Sequence, residues 1–141
     1  MYEKDTVAKI MTRELVQLNT TDDLYKAEKL FKKHHIRHIP VVEGKKIAGI
    51  ISHTDLMRIS YADVLDEDDD TVESVVYDMF SLSQVMTRIP ETVSSDTTIR
   101  EAAKIFTKKE FHALPVVDEG HLVGIVTTTD IIRYYVEECY S

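Results

Sequence analysis

Ile39-Pro40-Val41-Val42-Glu43-Gly44-Lys45-Lys46-Ile47-Ala48-Gly49-Ile50-Ile51-Ser52-His53-Thr54-Asp55 returns 75 residues later as Leu114-Pro115-Val116-Val117-Asp118-Glu119-Gly120-His121-Leu122-Val123-Gly124-Ile125-Val126-Thr127-Thr128-Thr129-Asp130. Each copy has a β-branched run, a turn carrying a glycine, a second apolar run and then Thr-Asp. That order predicts two strands joined by a tight turn, with a helix opening at Thr54-Asp55 or Thr129-Asp130. The proline lacks a donor, which predicts that Pro40 and Pro115 stand at the start or edge of their strands.

Working outward, the same offset lays Met11-Thr12-Arg13 on Met86-Thr87-Arg88, Ala27 on Ala102, Phe31 on Phe106 and Arg58 on Arg133. Leu24 meets Ile99, Ile47 meets Leu122, and Ser52 meets Thr127. An internal repeat of this quality decides the architecture. A short extended piece (Leu15 to Leu18; Glu91 to Val93) leads each copy into a polar turn, Asn19-Thr20-Thr21-Asp22 or Ser94-Ser95-Asp96-Thr97. These residue types suit helix N-caps. Leu24, Ala27, Leu30 and Phe31 then recur at helical spacing, as do Ile99, Ala102, Ala103, Ile105 and Phe106. The fold class expected is α+β, with two β-α-β-β-α units at residues 1–60 and 83–141. Between them, residues 61–82 read as an acidic connector with a short amphipathic helix. Half such a unit cannot bury its apolar face alone, so the copies are expected to pack about a pseudo-twofold axis.

The formal net charge of -8 runs against a nucleic-acid binder, whose affinity comes from neutralising phosphates with Lys and Arg. No stretch approaches the ~20 apolar residues of a membrane span. The N-terminus MYEKDTVAKIM has no apolar core of a secretory signal. The single cysteine, Cys139, fits a reducing compartment, so a cytoplasmic location is expected.

These motifs together resemble the CBS domain family, named after cystathionine β-synthase. The residues that carry the resemblance are Ile10-Met11-Thr12 with Val85-Met86-Thr87, the two Pro-Val-Val strands, and the tails from Gly49 to Asp55 and Gly124 to Asp130. Two such repeats make a Bateman module, and this chain resembles the stand-alone members. The resemblance implies a regulatory module, not an enzyme, that binds AMP, ADP, ATP or S-adenosylmethionine in the cleft between repeats. It also implies a homodimer of paired modules and a regulated target that the sequence does not identify.

The residues themselves support that chemistry. A carboxylate can accept hydrogen bonds from both ribose hydroxyls, and the resemblance assigns that role to Asp55 and Asp130. Each also suits a helix start, where a negative charge is favoured. Ser52 and Thr54, with Thr127 and Thr129, add hydroxyls at the same turns for ribose or phosphate, or simply cap them. Arg37 and His38 in the first copy, and His112 beside Ala113 in the second, occupy positions that approach phosphates in the family. The guanidinium suits bidentate contact, and histidine becomes cationic near neutral pH. The unequal sets predict unequal clefts, with Asp130, Arg37 and His38 the favoured combination. Ile50 and Ile125 are candidate walls for adenine or plain core residues, with Thr12 and Thr87 near the base edge.

Other patterns read more simply. His34 and His38 have a ligand spacing only if one helix holds both, and the helix is expected to end near His35. The acidic run Asp66 to Asp70 lacks the loop spacing of an EF-hand and reads as a solvated turn, with a divalent-metal-responsive module as the less favoured reading. No metal site is therefore assigned. No phosphate-binding GxxxxGK[ST] loop occurs, and Glu137 and Glu138 beside Cys139 disfavour a thiolate nucleophile. A ligand-independent homodimerising scaffold is the alternative function, with Ile131-Ile132 and Tyr134-Tyr135 as a possible dimer face.

Overall fold

The computed structural model describes residues 4–62, 77–88 and 91–139. In chain order it holds a 3-10 turn (Val7–Lys9), β1 (Leu18–Asn19), α1 (Leu24–His34), β2 (His38–Glu43), β3 (Lys46–Ser52) and α2 (His53–Ala62). There follow α3 (Leu82–Val85), β4 (Thr87–Arg88), α4 (Ile99–Lys108), β5 (Ala113–Asp118), β6 (His121–Thr127) and α5 (Thr128–Cys139). The mixed α+β class is as the sequence leads one to expect. The acidic run and most of the connector lie outside the described residues.

Local chemistry sets the element ends. Asp23 caps α1 by accepting from the Lys26 amide, and Thr98 with Glu101 forms a capping box on α4. Both caps lie one residue beyond the polar turns singled out in the sequence. α1 closes at His34, with His35 in the left-handed conformation, so His34 and His38 share no helical face. The β5–β6 loop, Glu119-Gly120, has positive φ at both residues, as a two-residue hairpin of matching twist requires.

The prolines depart from expectation. Pro40 and Pro115 are third in their strands, not at the start. Pairing explains why this is tolerated. β1 meets β2 only at Val41 and Val42, and Val93 bonds the Pro115 carbonyl and the Val117 amide, so no missing proline N–H is called upon.

The chain divides into two compact units that do not coincide with the sequence repeats. One gathers Val16–Gly44 and Ala48–Ile89, the other Met1–Leu15, Lys45–Ile47 and Pro90–Ser141. Within the first, the sheet order is β1-β2-β3-β4, and β4 comes from the second repeat. In the other unit, Val93 pairs in parallel with Val116, and Thr12 pairs antiparallel with Ile125 beside the β5–β6 hairpin. Each sheet thus ends on a segment from the opposite repeat. The cores follow suit. Leu82 and Met86 lie among Leu18, Leu24, Ile39 and Ile51, whereas Val7 and Met11 lie among Ile99, Leu114, Val116 and Val126.

Candidate functional site

In each unit the second long strand runs into its helix at an Asp, and the corner is built from a reciprocal pair of hydrogen bonds. The Ser52 amide donates to Asp55 Oδ2 at 3.0 Å, and the Asp55 amide donates to Ser52 Oγ at 3.0 Å. The Thr127 amide donates to Asp130 Oδ2 at 2.9 Å, and the Asp130 amide donates to Thr127 Oγ1 at 3.1 Å. The helix dipole favours each carboxylate there, and burial keeps it in place: the two side chains are 19% and 13% exposed. The second oxygen of each faces an arginine one turn on, Arg58 or Arg133, at 3.5 Å. A carboxylate has about four acceptor positions, so each corner retains capacity for hydroxyl donors.

Thr12 and Thr87, expected near the base edge, are placed by strand pairing. The Thr12 amide donates to the Ile125 carbonyl at 2.9 Å, and the Ile125 amide returns the bond at 3.1 Å. Thr87 pairs with Ile50 in the other unit. Both threonines are exposed, and their paired isoleucines are buried at 8% exposure. The neighbouring glycines make the approach possible. A Cβ on Gly49 would stand 2.6 Å from the Thr87 carbonyl oxygen, and one on Gly124 would stand 3.1 Å from that of Thr12.

The cationic candidates are also placed by backbone. The Arg37 carbonyl accepts from the His53 amide at 2.8 Å, and the His112 carbonyl accepts from the Thr128 amide at 3.0 Å, so each lies beside the start of its repeat's last helix, α2 or α5. Arg37 and His112 are exposed; His38 is half-buried at the start of β2. Arg37 enters no ion pair among the described residues. Thr54 and Thr129 are exposed on the first turns of α2 and α5. One unit therefore assembles Arg37, His38, Ile50, Ser52, Thr54, Asp55 and Thr87. The other holds Thr12, His112, Ile125, Thr127, Thr129 and Asp130. Of the favoured combination, Arg37 and His38 belong to the first unit and Asp130 to the second.

A cavity of about 220 Å³ opens at Asp130, lined also by Lys9, Ile10, Arg133, Tyr134, Glu137 and Glu138. Sequence reasoning missed these six. A signal existed for the helical ones: Arg133, Tyr134, Glu137 and Glu138 follow Asp130 at spacings that share one helix face. Lys9 is held in a network. Its Nζ is 3.3 Å from Asp5 and 3.7 Å from Glu138, and it lies 5.6 Å from the centre of the Tyr134 ring. The Tyr134 hydroxyl donates to Asp5; with the Lys9 charge this holds the Asp5 carboxyl below its ordinary range, and Asp5 in turn raises Lys9.

Known proteins share this fold. The CBS domain family model matches residues 7–62 and 82–137, and the chain belongs to that family. It is 30% identical over 120 residues to inosine-5'-monophosphate dehydrogenase of Korarchaeum cryptofilum, covering 84% of this chain but only 22% of the enzyme. Among solved structures, the CBS domain pair of protein MJ0100 in complex with 5′-methylthioadenosine and S-adenosyl-L-methionine superimposes with a TM-score of 0.77. That match has 25% identity and covers 94% of this chain and 97% of the other. CBSX2 in complex with AMP matches with a TM-score of 0.76 at 24% identity, covering 94% and 97%, a likeness of fold. Among the described residues no helix is long and apolar enough to cross a membrane, and no cluster of His, Cys, Asp or Glu could hold a metal ion.

Proposed function

We propose that this chain is a regulatory module, not an enzyme, that binds an adenosyl compound at its strand-to-helix corners. Asp130, and Asp55 at the equivalent corner, take the ribose hydroxyls. Ile125 and Ile50 wall the base, with Thr12 and Thr87 at its edge. The hydroxyls of Ser52, Thr54, Thr127 and Thr129 complete the corners, and Arg37, His38 and His112 are the cationic candidates for a phosphate tail. The observation that carries the reading is the Asp130 carboxylate, anchored on the Thr127 amide and opening on a cavity. The MJ0100 likeness supports an adenosyl ligand. A polar corner whose groups hold and do not activate supports binding without turnover. The regulated target and a cytoplasmic setting are part of the same proposal.

Thermal denaturation tests it. A ligand at about 100 times its dissociation constant adds ~2.7 kcal/mol to stability, a shift of several degrees for a domain of this size. AMP, ADP, ATP, 5′-methylthioadenosine and S-adenosylmethionine are each to be added at millimolar concentration. At least one is expected to raise the Tm, and Asp130→Asn to reduce that rise. A melt indifferent to all five would refute the reading.

A second role, self-association, is favoured by one face of α5. Ile132 and Val136 are 62% and 58% exposed, with Tyr135 beside them at 36%. Such a stripe on a surface helix suits a second copy of the chain.

A further inference from the structure

We propose that Arg133, and Arg58 at the equivalent corner, are specificity-determining residues: each covers the free oxygen of its aspartate until a ligand arrives, then turns to the ligand's 5′ phosphate. The inference rests on the adenosyl reading above and adds the group by which a corner tells a nucleotide from its nucleoside.

The two oxygens of each aspartate are in different situations. Oδ2 is committed to the backbone, accepting from the Ser52 amide at Asp55 and from the Thr127 amide at Asp130. Oδ1 faces the arginine, whose Nη1 stands 3.5 Å away in both corners. The arrangement is copied with the repeat, since Arg58 and Arg133 are 75 positions apart, as are their aspartates. A ribose diol brings two hydroxyl donors, and Oδ1 is the oxygen with most capacity left to accept them. The hydroxyls therefore meet the guanidinium there. It gives way at little cost, because the arginine side chains are 72% and 59% exposed and an exposed ion pair of this length is weak.

The exchange leaves no group short of a partner. The ribose hydroxyls replace the guanidinium on the carboxylate, and the guanidinium, which can only donate, is released one helical turn from the sugar. A 5′ phosphate offers it acceptor oxygens for a planar, two-point contact, and a charge-assisted pair of that kind is stronger than the one given up. A nucleoside offers nothing in return. At Asp130 the other lining cation is tied down: Lys9 is shared between Asp5 and Glu138 and lies over the Tyr134 ring. The lining acids are engaged as well, Glu138 with Lys9 and Glu137 in an interaction of its own. Arg133 is thus the cation of this cavity that ligand binding sets free.

Isothermal titration of the full chain with adenosine and with AMP tests the proposal. AMP is expected to bind the wild type about tenfold or more tighter than adenosine, the effect of one charge-assisted contact. In Arg58→Gln/Arg133→Gln that margin is expected to shrink to about threefold or less, with AMP weakened and adenosine unchanged or slightly tighter for want of its competitor. Lys29→Gln/Lys104→Gln, which removes the same charge from exposed positions on α1 and α4, is expected to leave the margin as it was. Four results would overturn the proposal and leave the adenosyl reading intact: no AMP preference in the wild type, a margin unchanged in the arginine variant, both ligands weakened equally there, or a lysine variant that behaves the same way. Adenosine and AMP both failing to bind the wild type overturns the adenosyl reading as well.

Discussion

Gly49 and Gly124 stand where a neighbouring backbone crosses a strand, and the space at each is set by atoms of different mobility. At Gly49 a Cβ meets the Thr87 carbonyl oxygen at 2.6 Å and the Met86 sulfur at 2.7 Å. At Gly124 it meets the Met11 sulfur at 2.7 Å but the Thr12 oxygen only at 3.1 Å. A methionine side chain can move aside, whereas a strand-paired carbonyl cannot without breaking its ladder. Gly49→Ala is therefore expected to destabilise by about 1–3 kcal/mol, the ordinary cost of overpacking, and Gly124→Ala by less. Urea denaturation of the two variants compares them directly; equal costs would mean that backbone proximity is not the limiting contact. The repeated glycines were legible from the sequence, but the crossing segment was not, since Met86 is 37 residues from Gly49 and Met11 is 113 from Gly124.

At the scale of elements, α3 and the Val7–Lys9 turn serve the repeat they do not belong to in sequence. Leu82 is 1% exposed within the cluster of Leu18, Leu24 and Ile51, as Val7 is fully buried within that of Ile99, Leu114 and Val126. Truncating Leu82 to Ala is expected to cost about 2–4 kcal/mol, transfer plus cavity. Its location is the sharper test. Hydrogen exchange should quicken first in β1, α1 and β3, all of the first repeat, and not in β5 and β6. Faster exchange in β5 and β6 would contradict the exchange of segments. Helices and long strands were readable because apolar spacing and caps are local, and they appear within a residue or so of where periodicity places them. β4 and its Thr12 counterpart span two residues or fewer, too short to carry a pattern of their own.

For the whole molecule, the acidic balance of -8 leaves solubility to charge and association to local apolar surface. Ile132 and Val136, one turn apart on α5, concentrate that surface. Sedimentation of the chain is expected to show a dimer. Ile132→Glu/Val136→Glu is expected to weaken it at least tenfold, since buried charge replaces buried hydrocarbon, with little change in monomer Tm. A chain that sediments as a monomer at ~100 μM would remove the dimer and leave the ligand proposal standing.

The duplication, the α+β class, the helix limits and the aspartates at each strand-to-helix corner followed from residue order alone, because repetition, periodicity and capping are written in near neighbours. Which repeat supplies the outermost strand and the last core residues of each unit followed only from the tertiary structure. So did the Lys9 network and the cavity beside Asp130. Those features join residues from 37 to more than a hundred positions apart, and what joins them is the need to cover an apolar sheet face, a demand that no local pattern records.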